Sequence, residues 1–313
     1  MVAPEISLFG AAYKSHIYFL MASLNPMLLA LQKVREEERS KKKQSTSKSS
    51  PPIIPSTPLP ATPPPATTTI NRRPPSLLER IFDVVVAKNL TCQLRILQDP
   101  NGLQYGHGAT VWDSALLLGK YISIYEGRAA LLQKDVKVLE LGAGCGLSGL
   151  VASCLGVDVT LTDLPNVLPL TQINIDKNKD VLRTAIAFSK FNHEDVHRSK
   201  DVVAKPLDWT KTESMWENEK FDVILGADLM YDIKLAKPLA DTIARLLASP
   251  SSVVIIGHEH REDHVDDEFT QAFLTQGFVL LEVPRKGRWD DDLSIYTLAR
   301  RNEAQANDTC TEQ

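Results

Sequence analysis

From Ser76 onward, apolar residues fall into short runs separated by polar or amphipathic stretches of helix length. Val136–Leu141, Val157–Thr162, Val202–Leu207, Phe221–Ala227, Ser252–Gly257, Phe278–Val283 and Ser294–Ala299 are short and rich in β-branched residues, so they read as buried strands. The spacing between them predicts helices over Ser114–Tyr125, from Leu147 onward, and over Leu164–Lys177, Leu235–Leu247 and Asp266–Gln276. Asp113 can cap the first of these, and Pro165 suits the opening turn of the third. Residues 178–200 read as a polar, irregular loop with some regular character at Ala185–Phe188. An earlier strand at Leu94–Leu97 runs into the strong turn Asp99-Pro-Asn-Gly102. Seven strands interleaved with helices predict an α/β fold: a doubly wound, seven-strand, Rossmann-like sheet.

The first part of the chain follows other rules. Ten of the 19 prolines fall between Pro51 and Pro75, among Ser and Thr. Such a stretch cannot bury enough apolar area to offset chain entropy, so residues 1–75 are expected to be a disordered tail before a globular domain at 76–303. His16–Val34 is fairly apolar, but Asn25-Pro26 interrupts it and it is short for a span, so no membrane association is expected.

Charge sharpens the division. Residues 1–75 hold 10 Lys and Arg against 4 Asp and Glu, and the remainder holds 25 against 35. An acidic globular part repels phosphate backbones, which counts against a nucleic-acid substrate and suits a basic peptide. The four cysteines (Cys92, Cys145, Cys154 and Cys310) form no C-x-x-C pair and show no metal-ligand spacing, so they read as reduced thiols of a cytosolic or nuclear protein. His193 and His197 stand at i, i+4 without an accompanying acid or cysteine, and no metal site is expected.

Candidate chemistry concentrates in Val136–Asp163. A buried strand runs into Gly142, Gly144 and Gly146, a helix starts near Leu147, and a second strand ends on Asp163. Glycines let a ligand approach the backbone, and the helix start directs unpaired N–H groups at the turn. An acid at the tip of the next strand can accept both hydroxyls of a ribose. This is a nucleoside-cofactor site, with two candidates. Gly144, Gly146 and Gly149 satisfy G-x-G-x-x-G, with Asp163 at dinucleotide spacing. The fuller pattern, Glu140-Leu-Gly142-Ala143-Gly144-Cys-Gly146, resembles the E/D-x-G-x-G-x-G loop of seven-strand methyltransferases that bind S-adenosylmethionine.

Further signatures extend that likeness. VWDSA at Val111–Ala115, VLELGAGCGLSGL at Val138–Leu150, VTLTD at Val159–Asp163, LDW at Leu207–Trp209 and ADLMY at Ala227–Tyr231 together resemble methyltransferase family 16, the lysine-methylating branch. The resemblance implies cofactor contacts at Trp112, the backbone of Gly142, Ala143 and Gly144, Asp163, Trp209 and Ala227, with Glu140, the acid of the loop motif, in the same set. Trp112 would close over the methionine end, Asp163 would bind the ribose, Trp209 would face adenine, and Ala227 would leave the pocket open. It also implies catalysis on a protein lysine, with Tyr231 shaping the amine channel and Asp228 orienting it. The implied partner is a protein carrying the target lysine. Nucleic-acid amino-methylation is disfavoured, because the stretch after the fourth strand lacks the prolines of N/D-P-P-Y. A small-molecule methyltransferase and a cofactor-binding module without turnover stay open.

Overall fold

The computed structural model describes residues 77–300, except 88, 103, 125–126, 133–134, 193–201, 212–213 and 284–291. The described residues fall within one compact unit, Arg72–Gln313. The expectations for the tail, for Cys310 and for the His193–His197 pair lie outside the described residues.

The chain first forms an antiparallel hairpin of β1 (Leu78–Ala87) and β2 (Leu90–Gln98). Next come α1 (Asp113–Ile124), α2 (Gly127–Leu131), β3 (Lys137–Leu141), α3 (Leu147–Cys154), β4 (Asp158–Asp163), α4 (Leu168–Asn192) and β5 (Val203–Pro206). Then follow β6 (Val223–Ala227), α5 (Ala236–Leu246), β7 (Val253–Glu259), α6 (Asp263–Thr275), β8 (Phe278–Glu282) and β9 (Leu293–Arg300). The seven strands after the hairpin form one sheet in the order β5-β4-β3-β6-β7-β9-β8. β5 to β7 are parallel, and β9 runs antiparallel to both its neighbours. The expected α/β architecture is present.

Strand alternation sorts the core into two halves. Val138, Val223, Leu225 and Ile255 point to one face, where they pack with residues of α1, α3, α4 and the hairpin. Leu139, Leu141, Ile224, Val254 and Ile256 point to the other, against α5, α6 and the buried rings of Trp216, Phe269 and Phe273. With both faces covered, β6 is buried and reads in sequence as an unbroken apolar run, while β3 opens on the exposed Lys137 and also buries Glu140.

The structure corrects three expectations. The strand at Leu94–Leu97 is the middle of a longer β2, and its partner β1 was not foreseen. The short α2 was also not foreseen. The expected loop at 178–200 is helical as far as Asn192, because α4 continues well past Lys177.

Candidate functional site

The parallel strands end at one edge of the sheet, and the predicted site residues gather there. β3 stops at Leu141 and the chain turns through the glycine loop. Gly142 and Gly144 hold φ of 57° and 53°, backbone that side chains rarely adopt. Neither has room for a Cβ: at Gly144 it would stand 2.5 Å from the Gly108 carbonyl oxygen, and at Gly142 2.8 Å from Leu229. The same Gly142 position lies about one contact distance, 3.5 Å, from the edge of the Trp209 ring. Trp209 follows β5 and is half-buried, so its indole borders the bare loop.

Asp163 ends β4 beside this loop. Its carboxylate accepts the Gly144 N–H (2.7 Å) through one oxygen and the Leu164 N–H (2.7 Å) through the other. Burial pushes its pKa up, and the two N–H donors pull against that. Both oxygens are thereby oriented, and each keeps a lone pair for a ligand hydroxyl. The loop is braced from below: Ala143 N–H donates to the Thr162 carbonyl (2.9 Å), and the Thr171 hydroxyl donates to the Gly144 carbonyl (2.7 Å).

Glu140 does not join this opening. Its side chain is buried beneath the loop, where it accepts the Gly149 N–H (2.9 Å) near the start of α3. Burial pushes its pKa up to about 8. Glu140 therefore supports the loop from behind, and its expected place among the ligand contacts is corrected accordingly. The physical reason is that it lies on a central strand covered on both faces.

Ala227 ends β6, half-buried, and the chain then turns through Asp228 at φ 56°. The Asp228 N–H donates to the Gly257 carbonyl on β7 (2.8 Å). Its side chain, 7% exposed, is gripped by Arg261 through two parallel hydrogen bonds of 2.7 Å each. Arg261 also donates to Glu259 (2.8 Å), and its guanidinium lies over the Trp112 ring, 5.7 Å from the centroid. Trp112 caps α1 with its carbonyl and leaves its ring 40% exposed. Tyr231 is 57% exposed; partial burial, and then the charges of Asp163, Asp232 and Asp228, push its phenol pKa up. The structure thus joins Gly142 with Trp209, Gly144 with Asp163, and Trp112 with Asp228.

Arg261 and Gly108 were missed by sequence reasoning. Gly108 carried a weak signal, since it lies three residues before the Val111–Ala115 signature. Arg261 had none, because its partner Asp228 is 33 residues away on the neighbouring strand. Among the described residues, His258, His260 and Asp266 form a further cluster in which the Asp266 carboxylate is shared between the two imidazoles. Burial raises the Asp266 pKa, but these bonds and charges outweigh it and hold the carboxyl below its usual range.

These residues fit S-adenosylmethionine. A loop that presents only backbone at Gly142 and Gly144 suits a sulfonium amino acid, an oriented carboxylate suits ribose hydroxyls, and an indole face suits adenine. Fold and site together define a seven-strand, S-adenosylmethionine-dependent methyltransferase. The chain belongs to the lysine methyltransferase family, whose model matches residues 89–276. It is 31% identical over 208 residues to EEF1A lysine methyltransferase 3 of Xenopus tropicalis, covering 66% of this chain and 81% of that one. It is 30% identical over 205 residues to protein N-lysine methyltransferase METTL21A of Mus musculus, covering 64% and 82%. The same protein of Danio rerio is 32% identical over 193 residues, covering 61% and 77%. The family sets aside the dinucleotide reading of G-x-G-x-x-G.

Proposed function

We propose that this enzyme transfers a methyl group from S-adenosylmethionine to the side-chain amine of a lysine in a protein substrate. The observation that carries the reading is the placement of Trp112, Asp228 and Tyr231 at the same sheet edge as the Asp163-braced glycine loop. In this arrangement Gly142, Ala143, Gly144, Asp163, Trp209 and Ala227 hold the cofactor. When bound, S-adenosylmethionine supplies an electrophilic sulfonium methyl: the amine lone pair forms the C–N bond, and the C–S electron pair leaves with sulfur as a thioether.

A lysine ammonium has a pKa of about 10.4 in water, so it must release a proton to solvent before it can attack. In the proposed complex the rings of Tyr231 and Trp112, both exposed at this edge, wall an amphipathic mouth where desolvation by the bound substrate favours the neutral amine. Once the amine is neutral, alignment is the main requirement, and Tyr231 supplies it by walling the amine's approach. The acidic balance of residues 76–313 supports a basic protein surface as partner and opposes a nucleic acid. Cys92, Cys145 and Cys154, buried and outside any disulfide, support a reducing compartment, cytosol or nucleus. No helix of the described residues is long and apolar enough to cross a membrane. The names of the relatives make elongation factor 1A the first protein to try.

The test is incubation of the full chain with methyl-labelled cofactor and a whole-cell protein extract. A labelled protein band yielding methyl-lysine on hydrolysis is the expected result. Label in metabolites alone would point to a small-molecule enzyme, and cofactor binding without transfer would point to a binding module.

A further inference from the structure

We propose that Arg261 is a positioning residue that keeps the Asp228 carboxylate charge-paired, so that the mouth of the site receives lysine as the neutral amine. The inference rests on the lysine-transfer reading above. Its ground is an electrostatic conflict within the site. Asp228 is buried at the end of β6, next to Tyr231, where the amine must enter. A bare carboxylate there would pair with an arriving ammonium and hold the proton on the nitrogen that has to attack.

Arg261 resolves the conflict by its geometry. Its planar guanidinium is always charged and meets both Asp228 oxygens in parallel at 2.7 Å. Both halves of the pair hang on the same strand. Gly257 of β7 anchors the Asp228 backbone, and Arg261 lies four residues after Gly257, just past the end of β7. Trp112 lies under the guanidinium and Glu259 takes a third hydrogen bond, so the fork is held from three sides. The other charged groups around it are mostly acids. Asp163 and Asp232 stand on the Tyr231 side, and Asp266, bound to His258 and His260, stands beside Arg261. Without Arg261 the mouth would carry a strong bias towards the ammonium form.

The step itself is balanced without a base. The ammonium gives its proton to water, the neutral nitrogen takes the methyl, and the sulfonium becomes a neutral thioether. Arg261 acts only on how readily the first proton leaves.

The experiment uses the full chain and the acceptor protein purified from the labelling experiment. Arg261→Gln, Arg261→Lys and the double variant Arg261→Gln/Asp228→Asn are compared with the parent. kcat and KM are measured across pH, beside melting temperature and affinity for S-adenosylhomocysteine. In Arg261→Gln the acid limb of kcat should move up by about one pH unit or more, cutting kcat near neutrality roughly tenfold, while KM for the acceptor stays level or falls. Arg261→Lys should keep the limb near its parental place, and the double variant, with both charges gone, should restore it. An unmoved limb in a folded Arg261→Gln protein overturns the inference, as does a double variant that stays shifted. Loss of melting temperature and cofactor affinity with no movement of the limb assigns Arg261 to packing alone. A parent that transfers no methyl to lysine overturns the functional reading and this inference together, whereas an active parent with an unmoved limb overturns the inference only.

Discussion

Asp163 orients the loop through the Gly144 and Leu164 N–H groups, and in the proposed cofactor site its remaining lone pairs receive the ribose hydroxyls. Asp163→Ala should therefore weaken cofactor binding at least about tenfold, because each charge-assisted hydrogen bond is worth roughly 1.5–3 kcal/mol. Calorimetric titration of S-adenosylmethionine checks this, and an unchanged affinity would remove the ribose assignment. Glu140 makes a different prediction. Its folded pKa, about 8, lies above that of a free carboxyl, so the fold prefers it protonated. Stability linked to this group is present below the unfolded value and is lost as pH rises towards the folded one, by up to about 1.4 kcal/mol per pH unit. Glu140→Gln can still accept the Gly149 N–H, and should flatten the melting temperature of the ligand-free protein between pH 5 and 8 (roughly that window). An equally steep decline in the variant would show that the pH dependence lies elsewhere. Asp163 and the glycines were readable from sequence because their geometry is local, one strand tip against one turn. The burial of Glu140 was not, since its motif position fixes the residue type but not the face its side chain meets.

The long helix α4 shows why polar composition misleads. Its buried stripe includes Ile175, Leu182 and Ala185, but also Asn174 and Asn178, and these asparagines hid its apolar period. Both amides complete the edge of β2. Asn174 accepts the Leu97 N–H (2.7 Å) and donates to the Leu97 carbonyl (2.9 Å), and Asn178 does the same for Arg95 (2.9 and 3.0 Å). Four residues of helix rise about 6 Å, close to two residues of strand, so the two amides match alternate strand positions. Asn174 also donates to the Cys145 carbonyl in the glycine loop (2.9 Å), which ties the hairpin to the site. Asn174→Ala leaves buried backbone groups without partners and should cost at least about 2 kcal/mol. Denaturant melts measure this, and hydrogen exchange should show the loss centred on β2. A variant as stable as the parent would mean that water replaces the amide. The unforeseen β1 did carry a signal: Phe82, Val84 and Val86 alternate inward, a period of two partly masked by Val85 between them.

Two apolar layers flank one continuous sheet, and together with the hairpin they account for the burial seen from Phe82 onward. Apolar spacing begins at Leu77, directly after the proline-rich stretch. A chain cut to begin at Ser76 should therefore melt in one cooperative transition and bind S-adenosylmethionine like the full chain. Calorimetry of both proteins checks it, and an insoluble or non-binding shortened chain would put the boundary earlier. The strand inventory was legible because most of these strands are short, largely apolar stretches bounded by polar or turn residues. Their order was not, because the crossover that places β9 between β7 and β8 leaves no local trace.

That crossover sets a timetable for synthesis. By Ala227 the ribosome has delivered β3 to β6, the strands that carry the glycine loop, Asp163 and Trp209. β7 then emerges with an open edge from Val254 to Glu259, and β8 has no neighbour in the sheet until Leu293–Arg300 slides between them. At about 5–20 residues per second, that gap lasts roughly 2–8 s. During those seconds a nascent chain presents a bare, apolar strand edge, the surface that chaperones and aggregates alike recognise. The half that carries the proposed cofactor site can thus fold early, while the half holding Arg261 waits for the last strand to close it.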